Sequence, residues 1–291
     1  MNWHNKVAFV TGAASGIGFA LARECARRGM RVMMADVDSR LNEAVDTLSA
    51  EGGEVIGAHL DVRDHEQYQA VANRLLDSWG VPHLLFNNAG VSSACPVGAG
   101  AMAEWDWLID VNLKGVARGI GLFLPAMTAG GAGGHIVNTA SIAGLSPSGG
   151  ATGGYSVTKH AVVALSESLA IDLFGSEIGV SVLCPGRVTT EFMDIDRVRP
   201  KESGPATDDP LPREQLRSWL AGGIAPNEVA NMVFAAIEQR RFYILPHPEY
   251  KVLTEQRAAW LHRAFDGEKA TDEKIVTSAS ARLSQVIESY N

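Results

Sequence analysis

The sequence predicts an α/β protein: a doubly wound parallel sheet of about seven strands with helices on both faces. Three observations predict it. Short apolar runs recur along the chain, helix-length amphipathic stretches separate them, and the first run passes through a glycine-rich turn straight into a helix. The runs are KVAFVTG (6–12), RVMMADV (31–37), EVIGAHLDV (54–62), PHLLFNNAG (82–90), GHIVNTAS (134–141), VSVLCPG (180–186) and RFYILP (241–246). Each is rich in Val, Ile or Leu and runs into residues that favour turns, the pattern of a buried strand. Between them lie helical stretches such as IGFALARECARRG (17–29) and LNEAVDTLSAEGG (41–53), both ending at Gly, a common helix stop. Strand alternating with helix, joined by right-handed crossovers, gives a parallel sheet covered on both sides. One continuing pattern predicts a single domain over 1–291.

Bulk properties exclude several classes. The chain of 291 residues is 46% apolar, enough for a large core. A formal charge of −8 argues against nucleic acid or an anionic membrane as partner. Cys25, Cys95 and Cys184 are odd in number and widely spaced, which fits reduced thiols in a cytoplasmic protein. The N-terminus shows no signal-peptide apolar core, and no stretch has the ~18–20 apolar residues of a membrane span.

The first strand, turn and helix, VAFVTGAASGIGFALA, offer a phosphate site. A helix N-terminus presents unpaired N–H groups and a partial positive charge. Gly12, Gly16 and Gly18 let a ligand approach the backbone closely. Their spacing is T-G-x-x-x-G-x-G, and a tight strand-to-helix connection is the plain alternative. Asp36 ends the second strand, eighteen residues past Gly18. A carboxylate there accepts hydrogen bonds from ribose hydroxyls and repels a 2′-phosphate. Ser15 and Val37 supply no cation for such a phosphate, so NAD is expected over NADP. Farther on, Tyr155 and Lys159 sit four residues apart in GGYSVTKHAVVALSESLA, on one face of a helix. A neutral phenol beside a fixed cation suggests an acid being tuned.

Those glycines, NNAG at Asn87–Gly90 and the Tyr155/Lys159 pair resemble the short-chain dehydrogenase/reductase family, densely over Lys6–Thr190 and more loosely to Pro246. The resemblance implies a Rossmann-like fold and an NAD-dependent oxidoreductase. It implies that Tyr155 is the general acid/base, that Lys159 lowers its pKa and holds the nicotinamide ribose, and that Ser141 bonds the substrate oxygen. It implies that Asn112 anchors a water relaying protons past Lys159. It implies cofactor contacts from Gly12, Ser15, Gly16, Ile17, Gly18, Asp36, Asp61, Val62, Asn88, Ala89, Gly90, Pro185, Gly186, Val188 and Thr190 as well. Ser141 precedes Tyr155 by fourteen residues, one more than is common in the family, and the glycine-rich GLSPSGGATGG can absorb it in a loop. Thr139 and Ser146 are set aside, the first as lying deeper or facing away, the second as too late.

By this reading residues 1–190 form the cofactor-binding and catalytic core. The Pro- and charge-rich stretch 191–225 is too long for an idle connection and is expected to be a substrate lid. Residues 247–291 are expected to be a C-terminal helical extension. His59, Asp61, Asp64 and His65 cluster but lack a metal-site spacing, so no metal is expected. Cys95 has no histidine placed beside it by sequence, so a buried or pocket-lining thiol is expected. The apolar face of EWDWLIDVNLKGVARGIGLFLPAM, with the Tyr155 helix, points to a homodimer or homotetramer. The expected reaction moves a hydride between NAD and a secondary alcohol or ketone. Val91, Ile142, Phe192 and Met193 suggest an apolar or cyclic small-molecule substrate. An NADP-dependent ketone reductase and a non-catalytic NAD-sensing or scaffold protein are the alternatives.

Overall fold

The computed structural model describes residues 2–200, 210–266 and 284–290. In chain order it runs β1 (Val7–Thr11), α1 (Gly16–Arg27), β2 (Arg31–Asp36), α2 (Leu41–Ala50), β3 (Glu54–His59), α3 (His65–Trp79) and β4 (Leu84–Asn87). It continues with α4 (Met102–Ile109), α5 (Gly115–Gly130), β5 (Gly134–Thr139), α6 (Gly153–Asp172), β6 (Ile178–Leu183), α7 (Pro210–Ala221), α8 (Pro226–Glu238), β7 (Tyr243–Ile244) and α9 (Lys251–Phe265).

All seven strands join one parallel sheet in the order β3-β2-β1-β4-β5-β6-β7. The order reverses between β1 and β4, where the crossovers leave on opposite sides and open a crevice at the carboxyl ends. Side chains alternate between faces along each strand. Phe9, Leu85, Ile136 and Val180 pack with Tyr68 and Leu75 of α3 and Phe123 of α5 on one face. Ala8, Val10, Phe86 and Val137 pack with Leu21 of α1, Leu48 of α2 and Phe234 of α8 on the other. Both faces are covered, so β1 and β4 are apolar without a polar alternate up to their last residues, Thr11 and Asn87 at the crevice end. α1 and α2 end as the glycines suggested: Gly29 (φ 76°) and Gly52 (φ 88°) turn the chain out of each helix in the left-handed region.

The structure departs from the sequence reading in two places. The strands stop short of the apolar runs, because Asp61–Val62, Asn88–Gly90 and Pro185–Gly186 turn outward into the crevice. β7 is only Tyr243–Ile244, an edge strand. The apolar stretch 104–127 folds as two helices. A π-helical turn at Asp110–Lys114 separates α4 from α5, and Arg118 donates to the carbonyls of Val62 and Asp110 there. α9 contains no buried residue. No described helix is long and apolar enough to cross a membrane. Of the expected lid, residues 201–209 lie outside the described residues, as do 267–283 and 291 of the expected extension.

Candidate active site

A cleft of about 410 Å³ opens at the carboxyl ends of β1, β4, β5 and β6. It gathers nearly every residue singled out in the sequence: Gly12, Ser15, Gly16, Ile17, Asp36, Asp61, Val62, Asn88, Ala89, Gly90, Ser141, Tyr155, Lys159, Pro185, Gly186, Val188 and Thr190 all line it. Gly18 and Asn112 stand behind its wall.

The glycine turn is shaped by close approach. Gly12 (φ 66°) passes so near Ala89 that a Cβ would lie 2.9 Å from its Cα. A Cβ on Gly18 would lie 2.0 Å from the carbonyl oxygen of Gly12, so this position admits only glycine without rearrangement. Thr11 joins the turn to the NNAG segment. Its Oγ accepts from the backbone N–H of Asn88 and of Ala89, both at 3.0 Å. The Asn88 side-chain amide donates to the carbonyls of Thr11 (3.1 Å) and Gly12 (3.3 Å). Ser15 stands at the N-cap of α1 without making a side-chain capping bond. The first N–H groups of the helix therefore face the cleft uncapped by that hydroxyl, and an anionic diphosphate fits there.

Asp36 accepts from the N–H of Ala14 and of Asp38, each at 2.9 Å. Burial raises its pKa, while these two N–H groups pull it down in part. The carboxylate thus shapes the turn as well as facing the cleft. Asp61 pairs with Arg63 (2.7 Å) at the same end. Asp64 caps α3 by accepting from the N–H of Gln67 (3.0 Å), which accounts for one member of the His59/Asp61/Asp64/His65 cluster. Among the described residues no group of three or more His, Cys, Asp or Glu is gathered in a way that could hold a metal.

At the other end of the cleft α6 carries Tyr155 and Lys159. The Lys159 ammonium donates to the carbonyl of Thr139 (2.9 Å) and lies 5.7 Å from the centre of the Tyr155 ring. The Ser141 hydroxyl stands beside the Tyr155 phenol and favours its ionised form. Ser141 Oγ donates to the Pro185 carbonyl (3.4 Å) and accepts from the N–H of Ala143 (3.2 Å). The loop between them forms two short 3₁₀ turns, Ile142–Gly144 and Gly150–Thr152, and takes up the extra residue without parting the pair. Burial pushes the Tyr155 phenol up to about 12, the Ser141 hydroxyl offsetting this in part. Burial also brings the Lys159 ammonium down to about 8. In the protein by itself, desolvation dominates both groups.

Asn112 is buried in the π-helical turn. Its Oδ1 accepts from Val91 N–H (2.8 Å), and its Nδ2 donates to the Val91 carbonyl (2.9 Å) and to Thr158 Oγ1 (3.0 Å). This side chain locks the start of the loop after β4 to α6. The rest of the cleft wall is largely apolar: Val91, Trp107, Ile142, Phe192, Met193 and Trp219, with the Phe192 ring 5.9 Å from that of Tyr155.

Three participants were not found by sequence reasoning. Thr11 looks like any strand residue. Thr139 contributes a backbone carbonyl, which side-chain patterns do not encode. Asp38 could have been noticed as a second acid beside Asp36, but its partner Arg197 comes 159 positions later.

A Rossmann-type sheet, a diphosphate-shaped turn at its switch point and a Ser-Tyr-Lys group facing the same cleft define a nicotinamide-cofactor oxidoreductase. The family model for short chain dehydrogenase matches residues 6–199. A Cα-dehydrogenase of a Sphingobium species is 35% identical over 86% of this chain and 83% of its own. A short-chain dehydrogenase/reductase of Burkholderia phymatum, solved in complex with NAD, is 40% identical with a TM-score of 0.87, over 94% of this chain and 99% of that one. An alcohol dehydrogenase of the archaeon Thermococcus sibiricus, solved with 5-hydroxy-NADP, is 27% identical with a TM-score of 0.68, over 83% of this chain and 96% of that one. The chain belongs to the short-chain dehydrogenase/reductase family.

Proposed function

We propose that this protein is an NAD-dependent dehydrogenase or ketone reductase acting on an apolar or cyclic secondary alcohol or its ketone. The observation that carries the reading is the convergence of Ser141, Tyr155 and Lys159 on the cleft that also holds the glycine turn and Asp36. Gly12, Ser15, Gly16, Ile17 and Gly18 would shape the diphosphate seat. Asp36 would hold the adenosine ribose, with Asp61 and Val62 beside the adenine. Asn88, Ala89, Gly90, Pro185, Gly186, Val188 and Thr190 would surround the nicotinamide half. Bound nicotinamide supplies the hydride acceptor or donor at its C4.

Ser141 holds the substrate oxygen against the Tyr155 phenol. In oxidation Tyr155 takes the hydroxyl proton; in reduction it returns one to the carbonyl oxygen. Lys159, fixed by Thr139, keeps a positive charge beside the phenol and reaches the nicotinamide ribose. Asn112 holds the π-helical turn, from which a water relay could pass Lys159. Phe192, Met193, Val91 and Ile142 wall the substrate space and exclude water.

The same reading takes the chain as one domain, with 1–190 as core, 191–225 as lid and 247–291 as a helical extension. It takes the molecule as a cytoplasmic homodimer or homotetramer. Three buried, unbridged cysteines suit a reducing compartment, and exposed Val157 on α6 and Trp260 on α9 suit association.

NADP is the second reading, favoured by Arg63, a cation lining the adenosine end of the cleft, although Asp61 pairs with it. The test is absorbance of reduced nicotinamide with NAD and a panel of secondary alcohols, Tyr155→Phe alongside, and thermal melting with NADH and NADPH. Turnover lost in Tyr155→Phe supports the reading. Equal melting shifts from both cofactors would overturn the NAD assignment. Tight NADH binding without turnover on any alcohol or ketone would favour a sensing or scaffold role.

A further inference from the structure

We infer that Arg197 is a positioning residue that straps the cofactor cleft shut by pairing across it with Asp38. The segment after β6 runs over the mouth of the cleft. Thr190 lies against the glycine turn, its Cγ2 3.1 Å from where a Cβ on Gly16 would be. Phe192 then faces Tyr155, and Ile195 is buried. At the far side the segment meets the loop between β2 and α2. Arg197 Nη1 lies 2.5 Å from Asp38 Oδ2, and Arg40 Nη1 lies 2.7 Å from Glu191 Oε2. Arg40 also pairs with Asp38 (3.1 Å), and Arg197 with Glu191 (3.5 Å). The four charges form a closed ring of two acids and two bases. Two belong to the loop after β2, in the adenosine half, and two to the segment after β6, in the catalytic half.

Asp38, Glu191 and Arg197 all line the cleft. A dinucleotide lying along the switch point would run between the sheet edge and this ring, so it could not be exchanged while the ring is closed. The same segment carries Phe192 and Met193, so closing the ring also sets the substrate wall beside Tyr155. Asp38 is deeply buried while Arg197 is about a third exposed, with side-chain exposures of 6% and 30%. Removing Arg197 leaves Asp38 still paired with Arg40, so no carboxylate is stranded. That makes Arg197 the position at which one of the two bridges between the segments can be cut without disturbing the loop, the Arg40–Glu191 pair remaining.

This inference rests on the proposed cofactor site. The experiment is stopped-flow NADH release, followed by nicotinamide fluorescence, at low and high salt. The proteins are wild type, Arg197→Gln and Arg197→Lys, and each is also melted without cofactor. For Arg197→Gln we expect release about two- to five-fold faster, as befits a partly exposed ion pair. Salt should accelerate release in wild type and do so less in Arg197→Gln, where only the Arg40–Glu191 pair remains to be screened. Arg197→Lys should recover most of the slow release, and the melting temperatures should agree. Release and salt response unchanged in Arg197→Gln, with NADH still bound, would overturn the strap alone. Failure of the wild type to bind either NADH or NADPH would overturn the cofactor reading and the strap with it. A fall in cofactor-free melting temperature accompanying the faster release would assign Arg197 a plain structural role and likewise overturn the strap.

Discussion

Lys159 gives its hydrogen bond to the carbonyl of Thr139, the last residue of β5, at 2.9 Å. The phenol one helical turn away stands beside the Ser141 hydroxyl instead. A buried ammonium needs an acceptor, and the end of a central strand offers one. The cation is thereby held near the phenol without neutralising it. Tyr155 and Lys159 stand with the ammonium 5.7 Å from the ring, each beside a different neighbour.

Loss of the Tyr155 hydroxyl removes the only phenol placed beside Ser141. Tyr155→Phe should lower kcat by about a hundred- to ten-thousand-fold, the range for a positioned acid/base, while leaving NADH affinity within a few-fold. Steady-state turnover and a fluorescence titration check both halves.

The pH response follows from burial. With the phenol pushed up to about 12 and the ammonium down to about 8, Tyr155 keeps its proton at neutral pH. That form serves ketone reduction; alcohol oxidation needs the phenolate. We expect kcat/KM for oxidation to climb through the alkaline range and that for reduction to fall. Parallel profiles in the two directions would exclude Tyr155 as their shared group.

Asp36 holds two backbone N–H groups as well as facing the cleft. Asp36→Asn turns one acceptor into a donor facing a donor. With a charged hydrogen bond contributing ~1.5–3 kcal/mol, NAD-dependent kcat/KM should fall by at least about ten-fold, and the preference for NAD over NADP should shrink. An unaltered cofactor ratio would assign Asp36 to loop structure alone.

Gly18 is the tightest contact in the turn. Gly18→Ala sets a Cβ against the Gly12 carbonyl and 2.6 Å from Asn88 Nδ2. Overpacking of this kind costs about 1–3 kcal/mol, so both the melting temperature and the affinity for NADH should drop. If neither changes, the turn yields more easily than these distances imply.

His135 reports on acid stability. Its ring is buried, with Nε2 2.7 Å from Ser181 Oγ, and burial pushes its pKa from 6.5 down to about 3. The unfolded chain binds a proton below pH 6.5 that the native protein refuses. Stability contributed here is therefore lost as pH falls from 6.5 towards 3. The slope is about 1.4 kcal/mol per pH unit. Urea unfolding at neutral and mildly acidic pH should show a shallower loss in His135→Gln. An identical loss would remove His135 as a cause.

The sequence by itself determined the layers and the place of the cofactor seat. Apolar runs of strand length, glycines at the helix ends and a glycine turn after β1 are local signals, and local physics reads them. Tyr155 and Lys159 were legible as a pair from their helical spacing, and Ser141 from the family resemblance that the motifs carry. The tertiary structure alone decided how those groups are held. Thr139 acts through its backbone, Asn112 through a π-helical turn that breaks an apparently continuous apolar stretch, and Arg197 through an acid on the other half of the sheet. Burial likewise set the Tyr155 phenol above its ordinary value, where the neighbouring cation alone suggests a lower one. Such effects depend on distance and desolvation between residues far apart in the chain, and no periodicity or spacing encodes either.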